Sequence, residues 1–140
     1  MELAYALAIA REHRSGVLVT HRRDGRAQLS NIAYALGDDN VFRVSITADR
    51  VKTKNLARDP RCELYVGRPD FGGYLVFDAA CDLMPVTTDP NDVTADALVE
   101  YYRMLRGDHP DWAEYRQVMV NDHRLVARLA AERAYGMWPS

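Results

Sequence analysis

Apolar residues at Leu3, Ala6, Leu7 and Ala10 recur at the spacing of one helical face, and Gly16 follows as a stop. The spacing predicts a helix there. "GVLVTH" then predicts a strand with Val17, Leu18 and Val19 largely buried. "RRDGR" offers Asp24-Gly25 as a hairpin turn, and "AQLSNIAYAL" returns as a second strand. After "GDDN", the run "VFRVSIT" alternates. Val41, Arg43, Ser45 and Thr47 share one face, and Phe42, Val44 and Ile46 share the other. A short helix from Val51 to Arg58 follows, with Asp49 placed to cap it and Pro60 to close it.

"CELYV" predicts a fourth strand, "GRPDFGG" a turn-rich loop, and "YLVFDAACDLM" a fifth strand. Two helices come next. One runs from Asp92 to Arg106, with Leu98, Tyr101, Tyr102 and Leu105 on its apolar side, and the other from Asp111 to Asn121. "HRLVARLAAERAYGM" is a last long strand in which Val126 and Leu129 fall out of phase, as an internal bulge would make them. With no repeats and no linker, the pattern predicts one domain over residues 1–140. Its class is mainly β with α: six strands in a small closed or half-closed antiparallel barrel under helical covers.

Composition narrows the function classes. A hydrophobic fraction of 48% supports a real core, and 18 basic against 20 acidic residues give no nucleic-acid character. No apolar run approaches the length of a membrane span. The N-terminal stretch lacks a basic start and turns charged at Arg11, Glu12 and Arg14, which reads as an amphipathic helix and not a signal peptide. Cys62 and Cys81 make no disulfide framework and read as small core residues in a reducing cytoplasm. His13, His21, His109 and His123 are scattered without metal-ligand spacing, so no metal site is expected. No nucleophile elbow occurs, and no side chain stands out as catalytic.

Against a net charge of -2, "RVKTKNLARDP" gathers Arg50, Lys52, Lys54 and Arg58 at a strand-to-helix junction. A helix start offers unpaired amides and the positive end of the dipole. Arg50 and Lys52 add cations there, Thr53 a hydroxyl and Asn55 an amide, a set suited to a phosphate monoester or diester. A solvated surface helix is the other reading of the same residues. In the second strand Gln28, Ser30 and Asn31 interrupt an apolar run, with Gln28 and Ser30 on one face. Ser45 and Thr47 give the third strand a similar face leading towards Arg50. Amides and hydroxyls on a sheet can read the edge of a heterocycle, although an exposed strand face would look the same.

"GRAQLSNIAYAL", "VFRVSITADRVKTKNLARDPRCELYV", "HPDWAEYRQVMVNDHR" and the closing "AYGM" together resemble the pyridoxamine 5'-phosphate oxidase-like split-barrel superfamily. The similarity is greatest to its actinobacterial deazaflavin-dependent reductases of type B. The resemblance implies a six-stranded split barrel of the FMN-binding type that forms a homodimer and takes coenzyme F420, or alternatively flavin mononucleotide (FMN). It implies hydride transfer to an electron-poor small molecule of the enone, lactone or quinone type. Arg50, Lys52 and Thr53 match the phosphate-binding positions, and Gln28, Ser30 and Asn31 match the strand beside the ring. Ser45 and Ile46 match the strand passing the ring and its linker, and Asn55 a residue fixing the helix start. One departure stands out: Gly72 or Gly73, beside Phe71 and Tyr74, occupies a loop position where relatives carry an aromatic residue. A second class stays open, a protein that binds or stores a cofactor without turnover.

Overall fold

The computed structural model describes all 140 residues. Its order is α1 (Leu3–Ala10), β1 (Ser15–His21), β2 (Ala27–Ala33), β3 (Ala35–Leu36), β4 (Val41–Thr47), α2 (Val51–Arg58), β5 (Arg61–Gly67), β6 (Tyr74–Leu83), α3 (Val93–Arg106), α4 (Trp112–Asn121) and β7 (Arg124–Met137). The helices fall where periodicity placed them, except that Gly16 is not the stop of α1: the helix ends at Ala10 and Gly16 already lies in β1. The strands number seven, not six, in a sheet ordered β2-β1-β5-β6-β7-β4-β3.

The extra strand arises because the expected second strand breaks at Tyr34. Before it, β2 pairs with β1; after it, β3 pairs with β4 at the far end of the sheet. Two strands one residue apart thus form opposite edges of one antiparallel sheet, which must curl to bring them together. Tyr34 holds the break. Its amide donates to the Arg14 carbonyl at 2.8 Å and its hydroxyl to the Ala10 carbonyl at 2.7 Å, and burial pushes that hydroxyl's pKa up. No ladder joins β2 to β4, so the sheet remains an open, split barrel and not a closed one.

Twenty buried residues fill the curl, among them Leu18, Phe42, Leu64 and Phe77. β4, β5 and the first part of β6 supply them at every second position, as the pleat requires, whereas β1 and β2 give only Leu18 and Ile32. Phe42 sits centrally, its ring centroid 5.1 Å from both Tyr34 and Phe77. A second cluster of five, Met84, Leu98, Val99, Tyr115 and Val126, lies outside the sheet, where α3 and α4 cover β4 and β7. This corrects the reading of β7. Its bulge is real, with Glu132 as the extra residue opposite Asp78 and Ala79. Val126 is out of phase for another reason: it faces the helices, while Leu125, Ala127 and Leu129 face the barrel interior.

Asp92 caps α3 by accepting from the Ala95 amide at 2.8 Å, and Asp111 caps α4 from the Glu114 amide at 3.0 Å. Asp49 does not cap α2. The Thr53 and Lys54 amides donate to the Arg50 carbonyl, which makes Arg50 the N-cap and sets Asp49 one position too early. The Thr47 hydroxyl beside Asp49 lowers its carboxyl pKa instead. The helix therefore starts uncapped, and the Val51 and Lys52 amides donate to no carbonyl.

Candidate functional site at the split

The free edge of β2 and the part of β4 beyond Arg43 both lack a strand partner on the side of the split, and the uncapped start of α2 sits between them. A groove of about 630 Å³ opens there, within the range of small-molecule sites. Gln28, Ser30 and Asn31 of β2 line one wall, and Asp49, Arg50 and Lys52 the other. A smaller cavity of about 130 Å³ shares these two cations and is bounded by Ser45, Ile46, Thr47, Arg50, Lys52 and Arg124. Apolar cavities of comparable size hold one benzene ring, so this one suits a single phosphoryl group and not a tricyclic ring.

The expected site residues divide by role. Gln28, Ser30, Asn31, Arg50 and Lys52 meet around the groove, and Ser45 joins the last two at the smaller cavity. Ile46 reaches that cavity by its backbone alone, because its side chain is packed in the core. Thr53 is buried, and its hydroxyl donates to the Thr47 carbonyl at 2.6 Å, so that proton is committed within the chain. Asn55 is buried too. It donates to the Thr20 hydroxyl at 3.1 Å and accepts from Arg58 at 3.0 Å, which fixes α2 to β1. Thr53 and Asn55 hold the helix start in place from beneath.

The cations are only partly compensated: Asp49, on the same groove wall, interacts with Arg50 through space without a direct ion pair. Arg50, Lys52 and Arg124 form no ion pair with any carboxylate, whereas Arg43 pairs with Asp39, Arg128 with Asp82 and Arg133 with Asp78. Burial lowers the Lys52 pKa, and the nearby charges of Arg50 and Arg124 lower it further. The Nε of Arg124 is buried with no hydrogen-bond partner. A concave site with unpaired cations, free helix amides and an unsatisfied guanidinium nitrogen has the donor set an anion needs. The phosphate end of a flavin or deazaflavin would fit this donor set, and Arg50, Lys52 and the Val51 and Lys52 amides would be the groups to hold it.

Arg124 escaped the sequence reading. It opens β7 and pairs with Thr47 across the ladder, 79 positions from Ser45, whose hydroxyl accepts from its Nη1 at 3.4 Å. Only strand pairing brings it to Lys52. Tyr101 was read as packing alone. Its hydroxyl donates to the Ala33 carbonyl at 2.8 Å, joining α3 to the end of β2 beside the split. Burial raises its pKa, opposed by the Ser45 backbone and by Arg124 and Arg106. Phe71 is 89% exposed with φ of +65°, so it packs against little in its own chain. It borders a further cavity with Val17, Asn31 and Tyr65. No helix is long and apolar enough to cross a membrane, and no group of three or more His, Cys, Asp or Glu could hold a metal ion.

The fold recurs among solved structures. A conserved hypothetical protein of Mycobacterium tuberculosis, Rv2991, is 22% identical with a TM-score of 0.75, over 98% of this chain and 84% of that one. A protein described as an F420 reductase is 24% identical with a TM-score of 0.62, over 91% of this chain and 94% of that one. HutZ, a heme storage protein of Vibrio cholerae, is 16% identical with a TM-score of 0.68, over 96% and 94% of the two chains. At these identities the likeness shows the fold alone. The family model described as pyridoxamine 5'-phosphate oxidase, however, matches residues 4–138, and with nearly the whole chain covered this protein belongs to that family.

Proposed function

We propose that this protein is a coenzyme F420-dependent oxidoreductase, acting in the cytoplasm as a single-domain chain. It passes a hydride between the deazaflavin and an electron-poor small molecule such as an enone, lactone or quinone. The observation that carries the reading is the convergence of Arg50, Lys52 and the free α2 amides beside the polar wall of β2. The bound coenzyme supplies the hydride chemistry. The chain's residues bind and orient. Arg50 and Lys52 hold the phosphate, and Gln28, Ser30 and Asn31 offer donors and acceptors along the ring edge. Preference for the deazaflavin over FMN rests on the basic groups near the groove and on the fold shared with an F420 reductase. Among those groups Arg22 donates to the Gln28 side chain at 2.9 Å and so stands at the groove wall, while Arg58 is committed to the His21 carbonyl and Asn55.

Equilibrium titration with coenzyme F420 and with FMN at one ionic strength tests this. The deazaflavin is expected to bind more tightly, and the reduced complex to be reoxidised by a simple cyclic enone. Equal or tighter FMN binding reverses the cofactor order. Tight binding with no reoxidation by any enone, lactone or quinone replaces the enzyme reading with a cofactor-binding one.

A homodimer is part of the same reading. The registers place Leu29, Val17, Val19, Tyr65, Val76 and Tyr135 on one outer face of the sheet, beside a charged row of Glu63, Asp78 and Arg133. Leu29 is 60% exposed and Tyr135 52%, and patches of this kind mark association surfaces. Two-fold pairing is the common way to cover one. Sedimentation at micromolar concentration should give twice the chain mass. A monomer that binds coenzyme at full occupancy would overturn it.

A further inference from the structure

The geometry points to Arg124 as the third arm of the anion site, closing with Arg50 and Lys52 on one phosphoryl-sized anion in the cavity beside Ser45. The inference rests on the anion-binding reading above and extends it to a residue outside the "RVKTKNLARDP" stretch.

Arg124 is placed by the fold. The His123 carbonyl accepts from the Ala48 amide at 2.9 Å, and Arg124 itself pairs with Thr47. The side chain leaves β7 on the outer face of the sheet, beneath α3 and α4. Tyr101 and Tyr115 lie close to it from those helices, Lys52 from α2 and Ser45 from β4. None of these groups is a carboxylate. The side chain spends one Nη1 donor on the Ser45 hydroxyl, and its Nε is buried and unsatisfied. A guanidinium kept among hydroxyls and a second cation, with a buried donor unused, is unfavourable unless an anion completes it. The same Arg124, Arg50 and Lys52 border the cavity of about 130 Å³. An anion there meets three cations, two from the start of α2 and one from β7, and Arg124 can offer it two donors in a fixed fork.

The test combines two ligand sets. Melting temperature is measured in orthophosphate and in chloride at matched ionic strength, for wild type, Arg124→Gln and Arg124→Lys. FMN and riboflavin, which differ by the phosphate, are titrated into the same three proteins. Orthophosphate is expected to raise the wild-type melting temperature by several degrees and to do far less for Arg124→Gln. FMN affinity is expected to fall about tenfold to a hundredfold in Arg124→Gln, with riboflavin affinity unchanged. Arg124→Lys keeps the charge without the fork and should fall between; it decides the matter if the glutamine variant does not fold. Retained phosphate stabilisation and FMN affinity in the variants overturn the inference. So does an equal loss for FMN and riboflavin, which would make Arg124 a support for β4 only, and so does a wild type indifferent to orthophosphate. If no flavin or deazaflavin binds the wild type, yet the orthophosphate effect is present and lost with Arg124→Gln, the cofactor reading falls and the Arg124 site stands.

Discussion

Replacing Phe42 with Ala is expected to remove about 3–5 kcal/mol of stability, the usual cost of truncating a buried phenylalanine. Phe42 is fully buried on β4, opposite Leu36 of β3 and Leu129 of β7, and its ring meets Tyr34 and Phe77. It therefore ties the break at Tyr34 to the middle of the sheet. Aromatic pairs of this kind add about 0.5–1.5 kcal/mol beyond area burial. Domains are stable by only about 5–15 kcal/mol, so the variant should unfold at far lower urea than wild type. Tyr34→Phe is the matched control. It keeps the ring but removes the bond to the Ala10 carbonyl, which still accepts from the His13 amide at 3.0 Å, and should cost about 0.5–1.5 kcal/mol. A Phe42→Ala loss below about 1 kcal/mol would show that the curl closes without this contact.

Lys52→Met should separate ligand binding from folding. In the absence of ligand, Lys52 stands beside Arg50 and Arg124, and burial with those charges lowers its pKa below the ordinary 10.5. The unfolded chain therefore holds that proton more tightly than the folded one. By linkage, wild-type stability rises as pH climbs through the lowered pKa towards 10.5, and the penalty is fully present below it. Lys52→Met removes the penalty, so its unfolding midpoint should match or slightly exceed wild type at neutral pH, and the alkaline rise should vanish. Affinity should move the other way. A charge-assisted hydrogen bond is worth roughly 1.5–3 kcal/mol, or about tenfold to a hundredfold in affinity for a phosphate-bearing cofactor. In wild type that affinity should decline with rising pH over the same window, because Lys52 loses its charge while the arginines keep theirs. Arg50→Ala should act in the same direction, and the double variant should fall short of additivity because both groups serve one phosphate. Unchanged affinity in a folded Lys52→Met would leave "RVKTKNLARDP" as a charged surface helix.

The sequence by itself determined the elements and the chemistry available to them. Apolar spacing located all four helices, three of them with both ends to within a residue, while the first stops at Ala10, well before Gly16. Alternation in "VFRVSIT" divided Phe42, Val44 and Ile46 from Arg43, Ser45 and Thr47, and the structure keeps that division. The basic run was legible because its charge opposes that of the whole chain, and the polar β2 residues because they interrupt an apolar strand. These are local signals, carried by residues a few positions apart.

Tertiary structure decided what alternation leaves undetermined. Alternation says which residues share a face, but not whether that face meets a core, a helix layer or a cavity. Val126 is buried against α3 and α4 on the side where another strand would meet water. Ile46 turns its side chain inward while Ser45 borders the cavity. The break at Tyr34 looked like uninterrupted strand because the residue is as apolar as its neighbours. Only its bonds to Arg14 and Ala10 reveal that the chain changes partners there. Arg124 lies far along the chain from Arg50 and Lys52, and no local pattern joins them. The β4–β7 register does, by placing Arg124 opposite Thr47, next to the end of the strand from which α2 departs.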